Sequence, residues 1–70
     1  MLAELRELPG LTERSRGVFY RGSRAFLHFH EDASGHHVDV RLDTDFERFR
    51  SQTKAEQRTV LTKVRNALAR

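Results

Sequence analysis

The chain has 70 residues, 13 basic and 10 acidic, for a net charge of +3, with 37% hydrophobic residues and no cysteine. Disulfides and thiolate metal sites are thereby excluded, and with them the usual staples of very small domains. No apolar run approaches the roughly 20 residues of a transmembrane helix, and charges interrupt the N-terminal stretch where a signal peptide is apolar.

These properties predict one cytoplasmic domain over residues 1–70, without a membrane partner. Its core should be marginal, because a chain this short buries only about 60% of its unfolded surface. Arginine supplies 11 of the 13 basic residues. Its planar fork suits carboxylates and phosphates, but it also serves on solvated surfaces, so placement decides its meaning.

In chain order, Leu2, Leu5 and Leu8 fall at helical spacing and predict a short helix over 2–8, ended by Pro9-Gly10. Leu11 to Ser15 reads as connection. From Arg16 to Leu42 there is no helical period, and three strands are predicted: Arg16–Arg21, Arg24–His30 and His36–Leu42. Gly22-Ser23 is a two-residue hairpin loop with glycine leading, and Asp32-Ala33-Ser34-Gly35 is a four-residue loop with glycine at its end.

The two loops set a register. Tyr20 should face Ala25, Val18 should face Leu27, and across the second hairpin Phe29, Leu27 and Ala25 should face Val38, Val40 and Leu42. One sheet face would then hold Val18, Tyr20, Ala25, Leu27, Phe29, Val38, Val40 and Leu42, apolar throughout.

After Leu42, Thr44 and Glu47 suit a capping box for a short helical turn, and residues 43–50 suit a fourth strand equally well. Thr53 and Glu56 form a cleaner capping box. It opens a helix over about 54–69 that carries Val60, Leu61, Val64 and Leu68 on one stripe. The sheet is the only surface against which that stripe can be buried.

The same register assigns Phe19, Phe26, His28, His30, His37, Asp39 and Arg41 to the opposite face. Four readings follow. His28, His30 and His37 could hold zinc or another metal with a position open for water, Asp39 orienting His28. An acid–base site on His28, Asp39 and Arg41 would lack a nucleophile and any means of excluding water. Phe19 and Phe26 could stack nucleic-acid bases while Arg16, Arg21, Arg24 and Arg41 meet phosphates. The favoured reading is a protein contact, since pairing two copies would bury Phe19 and Phe26 and relieve the core shortage.

The run Gly17 to His30, with its glycine turn and His28-x-His30 pair, and the later Asp39-Val40-Arg41-Leu42 resemble small bacterial proteins of the luciferase-domain family. Leu8-Pro9-Gly10-Leu11 resembles the start of that family, so the likeness covers Leu8 to Leu42. The label implies no light-emitting chemistry. The resemblance implies only that His28, His30, Asp39 and Arg41 are the positions to watch.

The expectation is thus an α+β domain: a short N-terminal helix, a three- or four-stranded antiparallel meander, and one amphipathic C-terminal helix. The expected role is non-catalytic binding and assembly as a homodimer, with a metal-dependent activity or nucleic-acid binding as alternatives.

Overall fold

The computed structural model describes residues 1–70. Its elements are α1 (Leu2–Glu7), β1 (Thr12–Ser15), β2 (Val18–Arg21), β3 (Arg24–Asp32), β4 (Gly35–Arg41), β5 (Phe46–Arg50) and α2 (Lys54–Leu68). The five strands form one antiparallel sheet in the order β1-β2-β3-β4-β5, a continuous meander. Both helices contribute to the core on one side of it, so the fold is α+β as expected. No helix is long and apolar enough to cross a membrane.

The sheet gains a strand at each end over the three predicted. Thr12–Ser15, read from sequence as connection, pairs with β2 through Thr12↔Tyr20, Glu13↔Phe19 and Ser15↔Val18. Arg16-Gly17, expected to begin a strand, is instead the turn between them, with Gly17 at φ 78°. Residues 46–50 resolve the open choice in favour of a strand: Asp39↔Arg48 and Val38↔Phe49 continue the ladder.

The β3–β4 register is the one the loop predicts, with Leu27↔Val40, His28↔Asp39, Phe29↔Val38 and His30↔His37, but the ladder ends at Leu27↔Val40 and the expected Ala25–Leu42 pair does not form. The β2–β3 register departs from expectation. Tyr20↔Ala25 and Arg21↔Arg24 hold at the turn, but the next pair is Phe19↔Leu27, which leaves Phe26 as the extra residue of a bulge. With Leu27 kept inside, Phe19 opposite it turns inward, and Val18 and Tyr20 on either side of Phe19 turn outward.

Phe19 and Phe26 therefore enter the core, 1% and 3% exposed, in place of Val18, Tyr20 and Ala25. Their assignment to the outer face is corrected here. The physical reason is area: two phenylalanines bury far more apolar surface than the valine and half-wet tyrosine they displace.

The core is Leu5, Phe19, Phe26, Leu27, Val38, Val40, Val60, Leu61, Val64 and Ala67, with Phe29, Leu42, Phe49 and Leu68 packed against it. The α2 stripe thus meets the sheet as its spacing requires. Its start carries the complete capping box: the Glu56 amide donates to Thr53 Oγ1 at 3.1 Å, and the Thr53 amide donates to Glu56 Oε1 at 3.0 Å. At the other end of the sheet, Arg6 of α1 grips Glu13 of β1 through Nε–Oε1 (2.6 Å) and Nη2–Oε2 (3.2 Å), tying the first helix to the first strand.

Candidate functional site on the open sheet face

Helices cover only the core face of the sheet, so the opposite face is where chemistry can be displayed. Strand alternation builds it in rows. One row crosses all five strands: Ser15, Val18, His28, Asp39 and Arg48. A second runs His30, His37 and Arg50, and a third pairs Arg41 with Phe46.

Asp39 is the centre of the first row. The residue is only 8% exposed although it lies on the uncovered face. Arg48 reaches across from β5 and binds it with both prongs, Nε–Oδ1 at 2.8 Å and Nη2–Oδ2 at 3.0 Å. From β3, His28 Nε2 lies 3.5 Å from Oδ2. Arg48's hydrogen bonds, ahead of its charge, hold the Asp39 carboxyl below the usual carboxylate range against the burial that would raise it. The same pair raises Arg48.

Phe46 ties the third row to the first. Its ring lies 5.3 Å from the His28 ring, tilted by 60°, and the Arg41 guanidinium sits 4.5 Å above its centroid. It is the one exposed large hydrophobic residue, at 37%. Farther along the sheet, Arg14 stacks 4.3 Å over Tyr20.

The histidines divide among separate partners. His30 Nε2 lies 3.3 Å from Asp32 Oδ2, and His36 Nε2 lies 3.0 Å from Glu31 Oε2. Two hydrogen bonds from Ser34 hold Asp32 down to about 2. His37 keeps a buried Nδ1 with no hydrogen-bond partner. His28, His30 and His37 do share the outer face, as the register requires. No three His, Asp or Glu side chains converge into a metal-holding group, however.

The structure thus brings together His28, Asp39 and Arg41 and places Phe19 and Phe26 elsewhere. It adds Phe46 and Arg48, from the segment that sequence left between a helical turn and a strand, and moves Tyr20 and Val18 out of the core. A trace of these was visible: once 46–50 is a strand, Phe46, Arg48 and Arg50 share one face and Phe49 takes the other. Compared with protein-family models, curated proteins and solved structures, the chain matches none.

Proposed function

We propose that this chain is a non-catalytic binding and assembly module that pairs with a second copy through the open face of its sheet. The observation that carries the reading is the uncovered face itself. Phe46, Tyr20 and Val18 lie on it beside the Arg48–Asp39–His28 row, while both helices occupy the other side.

The sheet edges are less suited to pairing. β1 has four residues and carries an irregularity between Glu13 and Ser15, and β5 alternates charge through Glu47, Arg48 and Arg50. Short, bulged and charged edges resist strand addition. A face contact also fits the small core, a cluster of 10 buried residues.

Catalysis draws less support. Asp39 spends its oxygens on Arg48 and His28, and the open face has no wall to exclude water. The resemblance to luciferase-domain proteins, resting on His28, His30, Asp39 and Arg41, is carried as part of this proposal and adds no substrate.

Light scattering at high micromolar protein is the test. A dimer that becomes a monomer in Phe46→Ala, with the circular dichroism spectrum unchanged, supports a face contact. A monomeric wild-type chain overturns the assembly reading. The metal alternative is read from elemental analysis of untagged protein, where stoichiometric metal lost in the His28→Ala, His30→Ala double variant would establish it.

A further inference from the structure

The sheet opens beside the bulge at Phe26. The β3–β4 ladder closes from Asp32↔Gly35 down to Leu27↔Val40 and makes no pair beyond it. Past that point the strands part around a concavity of about 90 Å³, lined by Arg21, Arg24, Ala25, Phe26, Arg41, Leu42 and Asp43. Three of its seven lining residues are arginines, and one is an acid.

These arginines are not matched within the chain. Arg24 and Arg41 form no ion pair, and neither does Asp43. Arg21 donates Nη1 to the Ala67 carbonyl near the end of α2, at 3.3 Å, which anchors it and leaves the rest of its fork uncommitted. The Arg41 plane stacks on Phe46, yet its Nε is buried without a hydrogen-bond partner. A buried donor left unpaired carries a desolvation cost that an acceptor would remove.

We propose that this concavity binds a phosphate group. Three arginines lining it beside Ala25, Phe26 and Leu42 offer more donors than a carboxylate's two oxygens can use, whereas phosphate presents several acceptor oxygens and up to two charges. Two of the arginines are held in place, Arg21 by the helix carbonyl and Arg41 by the Phe46 ring. Asp43 at the same opening opposes the anion. The site borders the proposed pairing face through Arg41 and Phe46 but takes no residue from a second copy, so phosphate binding by a monomer would leave this proposal standing and the assembly reading overturned.

The test is a titration of the full chain with inorganic phosphate, against chloride at matched ionic strength, followed by ¹H–¹⁵N NMR. The Arg41 Nε–H cross-peak is expected to shift saturably, together with the backbone amides of Arg24 to Phe26 and of Leu42 and Asp43. Arg24→Gln should weaken binding by roughly tenfold, the loss of one charge-assisted contact, and Asp43→Asn should tighten it. Arg24 is exposed and outside the core, so that variant keeps the fold. Short single-stranded oligonucleotides with and without a 5′-phosphate then identify the source. Competition by both points to a phosphodiester backbone, by the phosphorylated one alone to a terminal phosphate, and by neither to free phosphate. A non-saturating response, an unmoved Arg41 Nε–H, or shifts unaffected by Arg24→Gln would overturn the proposal.

Discussion

Arg48 reaches across one strand spacing to close both prongs of its guanidinium on Asp39, at 2.8 and 3.0 Å, and so buries a carboxylate on the face of the sheet that no helix covers. The pair is built from register alone. Asp39 and Arg48 are direct cross-strand partners, and opposite charges in that position stabilise the pairing of their strands.

Removing the arginine leaves a largely buried carboxylate without its main donor. Arg48→Ala is expected to lower the melting temperature by a few degrees, and Arg48→Lys to recover only part, since an ammonium cannot fork. Arg48 is itself half-exposed, so screening limits the effect. The loss should shrink in high salt. An effect of Arg48→Ala that is absent at low salt would dismiss the pair as a structural element.

Acid should destabilise the protein over a defined range. Asp39, Asp32, Glu13 and Glu56 all have carboxyls held below their ordinary values, by Arg48, Ser34, Arg6 and the Thr53 amide respectively. A group whose pKa is lower folded than unfolded binds its proton first in the unfolded chain, so its stabilisation is present above the ordinary value and lost as pH falls through the folded one. For Asp32 that window runs from 3.8 down to about 2. Urea midpoints measured between about pH 6 and pH 2 should fall only on the acid side, and Asp39→Asn should make that limb shallower. A midpoint that stays level below about pH 4 would contradict these four pairings.

Phenylalanines test the β2–β3 register. Phe19→Ala and Phe26→Ala are expected to cost about 3–5 kcal/mol each, comparable to the whole stability of a small domain and enough to unfold it. Phe19→Leu should fold with a lowered urea midpoint. Phe46→Ala, on the outer face, should shift stability by no more than about 1 kcal/mol. The regular, unbulged register places Phe19 and Phe26 outside, and their loss would then cost no more than that of Phe46.

Two glycines with positive φ separate conformation from space. A Cβ on Gly22, at φ +63°, meets nothing within 4 Å, whereas one on Gly17, at φ +78°, meets Phe29 Cδ2 at 3.2 Å. Gly22→Ala should cost about 1–2 kcal/mol, the ordinary penalty of the left-handed region, and Gly17→Ala should cost more. Gly17 also donates its amide to Glu13 Oε2 at 2.9 Å and accepts from the Phe29 amide at 3.0 Å, which pins the ring that a methyl would strike. Equal urea midpoints for the two variants would place the clash outside the energetics.

Local pattern alone determined α2, its capping box, the short first helix and the β3–β4 hairpin with its His28–Asp39 and His30–His37 rows. Each of these is set by interactions between residues close in sequence: helix spacing, a cap three residues apart, a loop of defined length. Tertiary structure decided the rest. Phe46 and Phe49 are three apart, a helical spacing, and they become a strand because the edge of β4 offers a ladder, on which alternation turns Phe49 toward the core and Phe46 away from it. Val18, Phe19 and Tyr20 are consecutive and all apolar or aromatic, so alternation cannot say which one points inward. The adjacent Phe26 and Leu27 carry a trace of the bulge, but the choice between burying Val18 with Tyr20 and burying Phe19 with Phe26 is made by the volume between the sheet and the helices. That volume exists only once β3, β4 and α2 have come together. That one-residue shift sets Val18 and Tyr20, in place of Phe19 and Phe26, beside the His28–Asp39–Arg48 row on the open face.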